Sequence, residues 1–242
     1  MADTWSLIKR IGLKKIDRMK DAVAEKRMQR VDTDLPLGLR INGLVDISEV
    51  DFVLGGSDLK IKSPGTGCTV TAMGVFSLGR SEVKRFYLDS TNGVYLLQVV
   101  LDQNRNVEEC KLFMPYDEVC PDDWGFWLAD ADGYIGLSVF QLKDGTQYFR
   151  VWEDPDSMTV VEEDDQGNRL TRIPPLEFME TIYLDRYGQS TETVKYDTML
   201  YGRHVNATVD EFLLVSAVNA KDGASVQIMV GIELQPVSIK AI

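Results

Sequence analysis

The stretch Gly93–Leu101 reads GVYLLQVVL, and from Val94 onward Gln98 is its one polar interruption. Side chains of a strand alternate between two faces, so a strand apolar on both is a central one, covered on either side. Its neighbours EVKRFYL (Glu82–Leu88) and NVEECKLFM (Asn106–Met114) join it through DSTNG and DQNRN. Such short turn-rich links make antiparallel meanders.

The rest of the chain keeps this rhythm. VFQLKDGTQYFRVW (Val139–Trp152) reads as a hairpin with Asp144-Gly145 at its tip, and PDDWGFWLAD (Pro121–Asp130) as a short helix or an aromatic loop. Further strands fall at Glu177–Asp185, Thr191–Gly202, Glu211–Val218 and Ala224–Leu234, where Val226, Ile228, Val230, Ile232 and Leu234 alternate cleanly. No strand–helix–strand rhythm occurs, so a parallel sheet is not expected. The expected class is mainly β (α+β): antiparallel sheets forming a sandwich or open barrel, preceded by one amphipathic helix. FYLDSTNGVYLLQVV is faintly echoed by IYLDRYG and FLLVSAV. The echo raises two β subdomains meeting near 153–175, an acidic, proline-bounded stretch, although chance similarity among strands explains it as simply.

The front of the chain differs. Trp5, Ile8, Gly12, Ile16, Met19 and Val23 are spaced as the stripe of an amphipathic helix, with Thr4 at the N-cap position. Leu7 and Ile11 fall off the stripe, and a heptad begun at Trp5 puts Gly12, Lys15 and Lys26 on its seam, which disfavours a coiled coil. Asp32-Thr33-Asp34-Leu35-Pro36 ends the helix. Residues 1–34 are thus expected as a basic amphipathic helix and 35–242 as a β-rich body. Residues 1–30 hold nine Lys or Arg and four acids, a charge of +5; the remainder holds 17 bases and 34 acids, a charge of −17. A body this acidic repels a phosphate backbone, so no nucleic-acid partner is expected.

Chemistry-bearing patterns are sparse. Cys68, Cys110 and Cys120 lack disulfide-framework or CxxC spacing and read as reduced thiols, which makes the cytoplasm the expected compartment. No apolar run of 18 residues and no signal-peptide pattern occurs. His204 is the one histidine, and GRSEV (Gly79–Val83) misses the last glycine of a nucleophile elbow. Glu162-Glu163-Asp164-Asp165-Gln166-Gly167 starts like a calcium loop but puts Ile173 where the bidentate Glu belongs. SPGTGCTV (Ser63–Val70) lacks the third glycine of a phosphate-binding loop. No catalytic residue, metal ligand or cofactor is therefore expected. Candidate partner-binding residues are Trp5, Ile8, Lys14, Ile16, Arg18 and Met19 on the helix. Trp124 and Trp127 join them from the aromatic segment, for which core packing is the simpler role.

LPLGLRINGLVDI (Leu35–Ile47), KRFYLDS (Lys84–Ser90), LLQVV, CKLF and DGTQYFRVW (Asp144–Trp152) occur in this order. Together they resemble the YjfK-like proteins, a bacterial family of unknown function, over roughly Leu35 to Asp185. Members of that family tend to be encoded beside proteins similar to phage-shock protein A, small membrane proteins and a glutathionylspermidine-synthetase-like enzyme. The resemblance implies work in a membrane-stress system and carries no catalytic residue. Two function classes follow. One is a non-catalytic binding or adaptor module with a protein partner such as a phage-shock protein A-like protein, including peripheral contact at the inner membrane. The other is an enzyme or accessory subunit acting on a cationic, polyamine-type substrate. The basic helix itself has three possible seats: its own acidic body, an acidic partner, or an anionic membrane.

Overall fold

The computed structural model describes residues 29–221 and 223–242. The helix expected over residues 4–30, but for its last two residues, lies outside the described residues. In chain order the described residues form β1 (Leu44–Ile47), a short helix (Val50–Gly55), β2 (Cys68–Leu78), β3 (Ser81–Ser90), β4 (Gly93–Leu101) and β5 (Val107–Val119). A one-turn helix (Gly125–Leu128), β6 (Val139–Gln141), β7 (Gln147–Arg150), β8 (Thr159–Glu163) and β9 (Arg169–Arg172) come next. β10 (Leu176–Tyr183), β11 (Thr191–His204), β12 (Asp210–Ala220), β13 (Gly223–Glu233) and β14 (Ile239–Ala241) complete the chain.

β2 to β5 run as a meander, β5 pairs with β13, and β12, β11 and β10 follow in turn. β10 then pairs back onto β2, Thr181 opposite Val75 and Tyr183 opposite Met73. Eight antiparallel strands therefore close on themselves, which corrects the expected sandwich or open barrel. The reason is the strand LEFMETIY at Leu176–Tyr183, which has a partner on each edge and so leaves neither β2 nor β11 exposed. Of the eight barrel strands, β2 is the one with no counterpart among the strands expected from sequence. It runs for 11 residues and supplies the closing edge. The stretch 153–175 carries the separate hairpin β8–β9, and strands from both sides of it pair in one sheet.

One buried cluster draws residues from all eight barrel strands, among them Phe76, Tyr87, Leu96, Phe113, Leu214 and Phe178. Only the lumen is reached by every strand, so this cluster fills it. The opposite faces of most of these strands, with Phe86, Leu97, Leu112, Val215 and Val230, pack under a strap containing Leu39, Ile41, Val45, Phe52 and Ile61. β4 is thus covered on both sides, as its sequence demands.

A charged pair sits within the lumen. Arg85 Nη1 donates to Glu180 Oε2 at 3.0 Å, and Arg85 Nε donates to Gln98 Oε1 at 3.0 Å. Tyr87 Oη donates to Glu180 Oε1 at 3.0 Å. The guanidinium lies 4.8 Å from the Phe76 ring centre and 5.1 Å from those of Phe178 and Tyr196, so aromatic faces replace the water it has lost. Burial and the adjacent Glu180 carboxylate hold the Tyr87 phenol well above its usual range, keeping it a donor. Gly74 makes the arrangement possible, because a Cβ there would fall 1.6 Å from Glu180 Oε1.

A second buried carboxylate fastens the strap. Glu211 accepts from the Lys60 and Ile61 backbone N–H groups at 2.5 and 3.2 Å, from Tyr148 Oη at 2.7 Å, and from Arg203 Nε at 2.9 Å. One side chain of β12 thereby ties together the strap, β7 and β11.

Glu180→Leu leaves the Arg85 charge alone in the lumen and is expected to destabilise the protein by about 3–5 kcal/mol in urea unfolding. Arg85→Met with Glu180→Leu should recover most of that loss. A single variant as stable as the parent would contradict the pair's role.

Candidate functional site

The barrel opens at the end formed by the β2–β3 turn, the start of β5 and the start of β10. Here the chain leaves β7 as Trp152–Ser157 and returns as Ile173–Pro175, and the two passes wall a cavity of about 730 Å³. Its apolar lining includes Leu78, Val100, Trp152, Pro174 and Leu176. Trp152 packs against both the lumen cluster and the outer cluster, so it stands where the two meet.

Five carboxylates line this cavity: Glu108, Glu109, Glu153, Asp154 and Glu177. No lysine or arginine is among the lining residues, but three cations stand just behind them. Lys111 is buried against Glu109, 3.7 Å from Glu233 and 4.6 Å from the Phe212 ring centre. Arg150 Nη2 meets Glu153 at 2.9 Å and Lys195 meets Glu177 at 2.8 Å. Counting Glu233, six carboxylates face three cations. Glu108 and Asp154 have no basic partner among the described residues; Asp154 accepts from Ser157 Oγ at 2.7 Å and from the Asp156 N–H at 3.2 Å.

The floor of the cavity reaches Gln98, which is only 6% exposed. Its Oε1 is fixed by the Arg85 donor, so its amide nitrogen is the end left free. No acceptor meets that nitrogen among the described residues. That nitrogen is open to the cavity, where a ligand oxygen can accept from it. The site can therefore hold a ligand that is cationic at the rim, apolar against Trp152, and an acceptor at depth.

A second depression of about 810 Å³ at the same end is lined by Phe149, Val151, Arg203, His204, Asp210 and Phe212, among others. It mixes both charges, and Arg150, whose Nε is buried without a hydrogen-bond partner, stands in its lining. His204 is 89% exposed there, with Nδ1 2.6 Å from Asp210 Oδ1, its cross-strand neighbour. Among the described residues no three His, Cys, Asp or Glu side chains are grouped as metal ligands, and no helix is long and apolar enough to cross a membrane.

The candidates named from sequence are not brought together at this cavity. Trp124 caps the one-turn helix and Trp127 lies within it, both partly buried against the outer core, with Phe126 between them 57% exposed. Trp5, Ile8, Lys14, Ile16, Arg18 and Met19 lie outside the described residues. The acidic turn at Glu162–Gly167 is the tip of β8–β9, where Asp164 accepts from the Gln166 and Asn168 N–H groups at 2.9 and 2.8 Å. The cavity residues missed from sequence had one visible signal, Gln98 itself as the lone polar group of its strand. Glu153 and Asp154 stood in a stretch that reads equally well as a linker.

A family model described as a protein of unknown function (DUF2491) matches residues 18–240, which take in the strap and the whole barrel. No curated protein and no solved structure matches the chain.

Burial pushes the Cys68 and Cys110 thiols up to about 11, so both are protonated and poorly nucleophilic at neutral pH. Only the exposed Cys120 should react with a thiol reagent at pH 8, with three thiols titrating after denaturation. Rapid native reaction of more than one would contradict this burial.

Proposed function

The chain belongs to the family described as proteins of unknown function (DUF2491), and on that premise we propose a non-catalytic module that captures cationic ligands in the mouth of its barrel. The observation that carries this reading is the cavity at Trp152, which five carboxylates line with no lysine or arginine among its lining residues. An amine or guanidinium entering there meets Glu108 and Asp154, neither held by a base, and an aromatic face for cation–π contact. The enzyme alternative needs a nucleophile or a base poised beside its partner. The described cysteines near the core are protonated by burial, and the one histidine is on the surface. This keeps the non-catalytic half of the expectation from sequence and the cationic character of its alternative. It moves the binding surface from the tryptophan pair at 124 and 127 to the barrel mouth.

Spermine is the test ligand. Calorimetric titration at low salt should show binding that weakens as salt rises. Glu108→Gln with Asp154→Asn should weaken it by about tenfold, since two partly exposed charge contacts contribute roughly 1 kcal/mol or less each. No binding at low salt, equal binding by the double variant, or chemical change in recovered spermine would contradict the reading.

A further inference from the structure

The cavity is apolar along its walls and acidic at its rim, and the chain carries the complementary pattern in its own first residues. We propose that the basic segment around Lys9–Lys20 seats in the barrel mouth, with Ile16 and Met19 against the apolar wall and Lys14 and Arg18 toward the carboxylates. The inference rests on the reading of the mouth as a cation site and names the occupant in the intact chain.

Three observations support this seat. The first is charge, since residues 1–30 carry +5 and the cavity has an excess of carboxylates. The second is reach. The Val31 N–H donates to Arg186 O at 2.9 Å, which fixes the segment's root beside the turn after β10. β10 has eight residues, so the mouth lies about 27 Å away at roughly 3.4 Å per residue. At the helical rise its sequence pattern predicts, a stretch 11 to 22 residues before Val31 lies about 17–33 Å from it, and this stretch is Lys9–Lys20. The third is the Gln98 side chain at the cavity floor, whose Oε1 is held by Arg85 while its amide nitrogen opens to the cavity and can donate to an oxygen acceptor. A polypeptide offers carbonyl and side-chain oxygens together with its cations. Tethering makes the contact intramolecular and raises its effective concentration to about the millimolar range.

Carbodiimide cross-linking of the full chain, mapped by mass spectrometry, tests the seat directly. Expected are monomeric cross-links from Lys9, Lys14, Lys15 or Lys20 to Glu108, Glu109, Glu153, Asp154 or Glu177, unchanged on dilution. Lys111 to Glu109 serves as an internal standard. Lys14→Glu with Arg18→Glu should abolish the cross-links from the remaining lysines and tighten spermine binding several-fold, because the competitor is removed. Ile16→Asp should do the same at any salt. Cross-links from these lysines to other carboxylates, or none, would overturn the seat even if spermine binds. Cross-links at the mouth with no spermine binding by either form would instead keep the seat and overturn the cation-capture reading.

Discussion

Arg85 and Glu180 come from strands far apart in the chain, and their contact lies where the barrel closes. β3 and β10 flank β2 on either side, so the pair spans Gly74 from one neighbour to the other. Taking two charges out of water is unfavourable unless every lone pair and proton finds a partner. Here Tyr87, Gln98 and three aromatic rings supply them. Such a pair tolerates one register only. A slip of one residue would turn Glu180 outward and leave Arg85 alone inside.

Closure has two consequences. It removes sheet edges from the barrel, so that among the described residues the short strands β14 and β6 end the pairing order of the large sheet. It also makes both faces of most strands buried faces, so the outer one needs a cover. The strap supplies it and is held by a carboxylate, Glu211, rather than by apolar contact alone. β10 is the exception on its outer face, where Met179 is 56% exposed. The chain runs outside the barrel from the end of β5 to the start of β10, and the passes that leave β7 and enter β10 wall the mouth.

Much of the fold was legible because strand periodicity is local. Gly93–Leu101 matches its strand end to end, and the Asp144-Gly145 turn, with Gly145 at a φ of +87°, stands at its hairpin tip. Closure was not legible, because periodicity says which face of β10 is buried but not which strands lie beside it. Gln98 was conspicuous as the polar break in an apolar strand, yet its reason is an arginine on the neighbouring strand and a glutamate 82 residues further on. The mouth carboxylates were hidden for another reason. Acidic, proline-bounded sequence looks the same whether it links domains or walls a cavity, and only the return of Ile173–Pro175 to Trp152 makes it a wall.

The account stands on the claim that cations gather at this mouth and not across an acidic surface generally. Side-chain amide and indole NMR signals during a spermine titration separate the two. The Gln98 amide and the Trp152 indole should shift together, with the backbone amides of residues 78–81, 108–109 and 153–157, while the Trp124 and Trp127 indoles stay in place. Shifts centred on the acidic tip of β8–β9 at Glu162–Asp165, with Gln98 and Trp152 unmoved, would contradict it.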